Sequence, residues 1–416
     1  MSEKHFQNNL GGGMNIRTSS FLAKSNELEL GRNINLEQIG SIQKRLGYGD
    51  ATILQADKKV LGAYEYIITT SNLKYLFAIT NNAGDTAGVL KYRTTPNGSF
   101  TTHPDADCSA IQENAKYEFA NFIDACFIVG YSEDDSAWVT IFTVDGILDG
   151  DYDEDRLVGT APNAKYIIQN QNRIILANTS NSGSEIFYSD FPDTTVTPNT
   201  LAWDELNYES ISTNDGEQIT GLTKGFNRTL VFKPSSIHKV DTDQDPVSIV
   251  KEKGNIGTTS HRSIQTIGGT VLFFKEGYGF YAYNNDGEPV LVSRKIDPII
   301  SAITPNQEVN SWADEKSYYA SIGTVTYNGR TYTKAWLEYD TIIDTWVLND
   351  GIDAAVVVKF GETDTKTFYF GGRTDGTIYE MFSHSTTSTS SSSTSSSTSS
   401  TSSTSSTSSS ISTSTT

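Results

Sequence analysis

From about residue 58 to residue 382 the apolar residues fall into short runs of four to six, rich in Val, Ile, Phe and Tyr and bounded by Gly, Asn and Asp. This is the strand-and-turn signature of an all-β chain, and no helical periodicity is sustained anywhere. The dipeptides Asn97-Gly98, Asp145-Gly146, Asp215-Gly216, Asp286-Gly287, Asn328-Gly329, Asp350-Gly351 and Asp375-Gly376 supply residues that tolerate positive φ where a chain reverses. Seven apolar runs begin at Tyr75, Cys126, Ile174, Leu230, Val271, Tyr318 and Phe368, at spacings of 51, 48, 56, 41, 47 and 50 residues. Each is followed by a turn and a second strand-like run: 89–92, 138–142, 186–188, 236–240, 279–283, 335–339 and 378–381. A period of ~40–50 residues is that of a four-stranded propeller blade.

The runs Ile174-Ile175-Leu176-Ala177 and Val271-Leu272-Phe273-Phe274 are apolar at consecutive positions, so both faces of those strands must be covered. Blades stacked about an axis provide such cover, whereas the strands of a β-sandwich keep one face in water. The expectation is therefore a β-propeller of six to seven blades over 58–382, preceded by a leader and extended arm (1–57) and followed by a Ser/Thr-rich tail (383–416). From 385 on, the tail is Ser or Thr at every position except Ile411. Such a composition buries too little apolar area to offset chain entropy, and the tail is expected to be disordered.

Charge narrows the function classes. The chain of 416 residues carries 50 acidic and 31 basic side chains, a formal charge of -19. Tight binding to a phosphate backbone rests on lysine and arginine, so it is not expected here, while a smooth acidic wall that DNA slides past is still allowed. Residues 1–13 lack the apolar core of a signal peptide, and no apolar run approaches a membrane span. Synthesis in the cytoplasm is the expectation. Cys108 and Cys126 form neither a disulfide framework nor a zinc motif.

The sequence contains no His-Glu-x-x-His, Gly-x-Ser-x-Gly or P-loop motif, and the five histidines are scattered. The Asp-box of sialidase-like propellers is not repeated. Asp149, Asp151, Asp153 and Asp155 alternate as the first ligands of a calcium loop would, but Glu154 occupies the glycine position and Thr160 the position of the final glutamate. A solvated acidic loop is expected there, with calcium as the alternative; Asp241, Asp243 and Asp245 make a shorter version. Tyr278, Tyr281, Tyr283, Trp312, Tyr318, Tyr319, Trp336, Tyr339 and Trp346 read as packing between blades, the alternative being stacking on sugars.

Three stretches resemble the β-propeller proteins of tailed-bacteriophage tails, of nozzle, adaptor or head-to-tail stabilisation type. The first is Gln171-Asn172-Arg173-Ile174-Ile175-Leu176-Ala177, leading to Glu185-Ile186-Phe187-Tyr188-Ser189-Asp190 and Trp203. The second is Gly216-Glu217-Gln218-Ile219-Thr220-Gly221-Leu222, leading to Leu230-Val231-Phe232-Lys233 and Ser236-Ile237. The third runs from Gly257-Thr258-Thr259-Ser260-His261-Arg262-Ser263 through Val271-Leu272-Phe273-Phe274 and Gly279-Phe280-Tyr281 to Ser293-Arg294-Lys295-Ile296. Ile42-Gln43-Lys44-Arg45-Leu46-Gly47 is similar to the family's basic arm, with Leu46 standing where that family carries proline.

The resemblance implies a non-enzymatic virion subunit without a cofactor. Copies would assemble in a ring around the DNA exit channel and contact other tail or portal-proximal proteins. Arg32, Lys44 and Arg45 are the candidate assembly arm, expected to meet a neighbour's acidic surface or solvent. Two rivals are a propeller that binds or cleaves host-surface glycan and a bacterial surface propeller on a Ser/Thr stalk.

Overall fold

The computed structural model describes residues 12–17, 24, 27–28, 30–35, 43–104, 112–132, 138–144, 157–196, 199–244, 247–285, 287–361 and 366–383. They form a β-propeller of seven blades. The Ser/Thr tail lies outside the described residues.

Blade 1 is built from Val60–Ile68, Leu73–Asn81, Gly88–Arg93 and Thr101–Thr102; blade 2 from Ala115–Phe122, Ala125–Ser132 and Trp138–Val144; blade 3 from Ala164–Asn170, Arg173–Thr179, Glu185–Tyr188 and Tyr208–Ser210. Blade 4 comprises Gly221–Gly225, Arg228–Phe232, Ser236–Asp241 and Ser248–Gly254; blade 5 Gln265–Ile267, Thr270–Lys275, Gly279–Tyr283 and Val290–Leu291; blade 6 Asn310–Ala313, Ser317–Tyr327, Arg330–Asp340 and Thr345–Asn349. Blade 7 takes Ala354–Phe360, Thr367–Gly372 and Thr377–Ser383 from the end of the chain, and its fourth strand, Gly47–Ile53, from the beginning. All blades are antiparallel, and their first strands touch in the order of the chain around one axis, with blade 7 meeting blade 1.

The seven apolar runs of the sequence are the second strands of the seven blades, and the runs after them are the third. Their unbroken apolarity has a plain cause. In Arg173–Thr179, Ile174 and Leu176 pack towards blade 2 while Ile175 and Ala177 pack towards blade 4. Seven apolar clusters result, one per blade interface. Eight of the nine aromatics read as packing lie in them, from Tyr281 at 9% exposure down to Trp336 and Trp346 at 0%; only Tyr278 is exposed.

The structure corrects the start of the propeller. The sequence pattern put residues up to 57 in an arm, but Gly47–Ile53 pairs with Thr377–Ser383 through Tyr48↔Met381 and Ile53↔Thr377 and closes the propeller. Without it blade 7 would end on an unpaired edge. The chain before it remains a strap. Met14 makes a parallel bridge to Leu28, Arg32 one to Leu348, and Ile34–Asn35 pairs with Gln43–Lys44. Backbone bonds from Met14 N to Trp346 O (3.2 Å) and from Leu348 N to Gly31 O (3.1 Å) cover the outer edge of blade 6. Met14 is buried in the cluster between blades 5 and 6, so the strap contributes core as well as cover.

Candidate functional site: the axial ion network

The stretch Gly257 to Ser263 joins blade 4 to blade 5 and runs inward to the axis. A Cβ at Gly257 would stand 1.8 Å from the Lys233 carbonyl oxygen, so only glycine admits this approach. Thr258 N donates to the same carbonyl (3.1 Å), and His261–Ser263 form a single 3₁₀ turn. That turn projects Arg262 across the axis.

Arg262 Nε donates to Glu118 Oε1 at 2.9 Å, Nη1 to Ala355 O at 3.2 Å, and Nη2 to Leu61 O at 3.2 Å and Tyr117 O at 3.0 Å. These acceptors lie on the first strands of blades 2, 7 and 1, on the far side of the axis from blade 5. Ser311 of blade 6 anchors the arginine's own carbonyl (2.8 Å). One guanidinium therefore ties together blades that are remote in sequence.

Glu308 is the second carboxylate of the network. Lys116 Nζ lies 3.5 Å away, Lys59 Nζ 3.9 Å, Arg373 Nη1 3.5 Å and Arg262 Nη1 4.0 Å. Arg373 also pairs with Asp353 (2.8 Å). His261 accepts from Leu222 N through Nδ1 (3.3 Å), leaving Nε2 3.7 Å from Glu118. Burial pushes the Glu118 carboxyl up, but Arg262 and His261 outweigh it and hold the group at about 2. Glu308 is likewise depressed, its burial overcome by Arg262, Lys116, Lys59 and Arg373. Burial disfavours the Arg262 charge, and Glu118 and Glu308 more than restore it. A cavity of about 200 Å³ opens beside the network, bordered by Lys116, Tyr131, Tyr166, His261 and Gln307.

Both carboxylates of the network are held ionised. Its chemistry is cross-linking: it closes the axis of the propeller with paired charge.

The residues singled out in the sequence fare differently. Asp149, Asp151, Asp153 and Asp155 lie outside the described residues, as does Asp245. Asp241 is tied to Arg228 (2.7 Å) and Gln171 (2.6 Å), and no cluster fit to hold a metal occurs among the described residues. Asp215-Gly216 is a turn, as read, and its carboxylate receives the buried Lys233 ammonium at 2.8 Å. Arg32 and Arg45 both have partners within their own chain. Arg32 pairs with Asp350, with Nε at 3.1 Å, and lies over the Tyr332 ring; Arg45 donates to the Asp350 carbonyl (3.1 Å) and lies over Trp336. Both fasten the strap to blade 6 of their own chain, because Asp350 and two aromatic faces offer them charge and π-density there. Lys44 is exposed. Sequence reasoning missed Glu118, Arg262 and Glu308 as a group; Arg262 lay inside the third quoted stretch without a partner to give it meaning.

No known family profile matches the chain, and no curated protein matches it. Solved structures similar to it are propellers. "YCF48 bound to D1 peptide" is 9% identical over 80% of this chain and 94% of its own, with a TM-score of 0.43. The β-propeller domain of the Trilobed protease from Pyrococcus furiosus is 10% identical over 79% of this chain and 94% of its own, TM-score 0.43. The GH74 enzyme of Niastella koreensis is 13% identical over 79% of this chain but only 44% of its own, TM-score 0.40. At these identities the likeness concerns the fold alone.

Proposed function

We propose that the protein is a non-enzymatic structural subunit of a bacteriophage tail, of nozzle, adaptor or hub type, that assembles in a ring around the DNA exit channel. The observation that carries the reading is the place of the three tail-like stretches: they form the spines of blades 3, 4 and 5 and the Gly257–Ser263 turn that locks the axis. A propeller locked by Arg262 is a rigid block with broad blade sides, and a repeated heterologous contact between such blocks closes a tube. DNA then travels through the tube, not through the propeller, and a chain of charge -19 gives that tube a wall that does not hold phosphate.

Cryo-electron microscopy of the virion tests this: several copies around the tail axis, acidic loops towards the lumen, is the expected image. A monomer with no place in a particle removes the reading. The second reading, a glycan-binding propeller, is favoured by a separate cavity on blade 3.

A further inference from the structure

Among the described residues blade 2 has three strands, and the next strand joins another element. The strand Leu157–Gly159 pairs in parallel with Leu201–Trp203, which belongs to an insertion between the third and fourth strands of blade 3. The insertion is held by Asp190 N to Ala202 O (2.9 Å) and Asn207 Nδ2 to Asp190 Oδ1 (2.7 Å). Between it and blade 3 lies a cavity of about 600 Å³, within the ~300–1,000 Å³ of small-ligand sites.

Its walls have a consistent chemistry. Phe187 and Tyr208 stack on each other, with centroids 5.5 Å apart, and Tyr208 is 42% exposed. Glu185, Asp204 and Glu205 bring carboxylates, and no lysine or arginine lines the cavity among the described residues. Asn163 and Asn181 add amides that both donate and accept. Trp203 forms part of the wall at 7% exposure, and its indole N–H is buried with no hydrogen-bond partner among the described residues. That burial keeps the N–H out of the cavity, so Trp203 adds ring surface to the wall and not a donor.

We propose that this cavity binds a neutral saccharide, stacked on the Tyr208 and Phe187 wall, with its hydroxyls donating to the carboxylates and its oxygens accepting from the Asn163 and Asn181 amides. The alternatives fit less of the wall. A cationic group would suit the rings and carboxylates but would leave the Asn163 and Asn181 amide donors without an acceptor. A phosphate would be repelled by three carboxylates, and no metal-binding cluster occurs among the described residues. The inference does not depend on the tail reading, since a ring subunit and a free propeller would present the same pocket.

The test is calorimetric titration of the full chain with cellotriose, maltotriose, xylotriose, mannotriose and tri-N-acetylchitotriose, beside arginine and tetramethylammonium. At least one saccharide is expected to bind with a stoichiometry of one. Tyr208→Ala should weaken it about tenfold, the scale of a lost aromatic contact. Asp204→Asn, which keeps the acceptor used by Leu206 N (2.8 Å), should also weaken it by removing one carboxylate. Binding of the cations but of no saccharide, binding indifferent to both variants, or no binding at all overturns the proposal. Ring formation is read separately by negative-stain microscopy, so a sugar-binding monomer removes the tail reading and leaves this one standing.

Discussion

Arg262 is where the fold concentrates its electrostatic risk. Replacing it with methionine would leave Glu118 and Glu308 buried and under-compensated, and breaking such a pair costs about 3–5 kcal/mol. Chemical denaturation should show that loss, with little change in slope. The pH dependence follows from Glu118. Its folded value, about 2, lies below its ordinary 4.5, so its contribution is complete above pH 4.5 and fades as pH falls towards 2. The parent should therefore lose stability across that window, by ~3 kcal/mol from this group. Arg262→Met should lose much less there, which thermal melts at stepped pH will show. Cys126 offers a milder check: fully buried, with burial pushing its thiol up, it should resist alkylation in a Cys108→Ser background until the protein unfolds. None of these partnerships was legible in the sequence, because Glu118 and Arg262 stand 144 positions apart and only propeller closure brings them together.

Strands and straps were legible in proportion to their apolar content. The second strands announced themselves because both faces are covered. Gly47–Ile53, with two glycines and a register broken between Gly49 and Thr52, shows no strand pattern, and its place is set by the free edge it fills. Turns divided in the same way. Asn328-Gly329 reverses blade 6 as its residues suggest, but the first hairpins of blades 2, 3 and 4 turn on Ile123-Asp124, Gln171-Asn172 and Phe226-Asn227, all at positive φ. In each of these, Asp or Asn takes the second position, where it adopts positive φ readily, and the first residue gives no turn signal. Two deletions separate strap from closing strand. Removing residues 1–35 should leave a folded propeller with a lower melting temperature, since losing buried Met14 alone is worth about 2–5 kcal/mol. Removing residues 1–53 should abolish cooperative melting, because blade 7 then lacks its fourth strand.

At the scale of the whole molecule, charge and closure point the same way. The cations Lys59, Lys116, Arg262 and Arg373 are gathered on the axis and paired there with Glu118, Glu308 and Asp353, which leaves the excess of acidic charge on the rest of the molecule. Filter-binding with duplex DNA at physiological salt should detect no retention, and the absence should persist at lower salt, where a basic site would bind about a thousandfold or more tightly. The blade period was visible in the sequence because seven similar interfaces repeat the same demand. The sealed axis was not, since it depends on single side chains that differ from blade to blade.

The pairing of Ile53 with Thr377 also sets a clock. The strand that completes the last blade emerges from the ribosome about 320 residues before its partner, and at ~5–20 residues per second it waits some tens of seconds with its hydrogen-bonding edge open. Earlier blades can stack during that wait, but blade 1 lacks its second neighbour, and Arg262 cannot reach Ala355 until blade 7 exists. Cohesion therefore arrives late and all at once, and a nascent chain stalled short of residue 377 should remain protease-sensitive throughout, including in blades whose own sequence is complete.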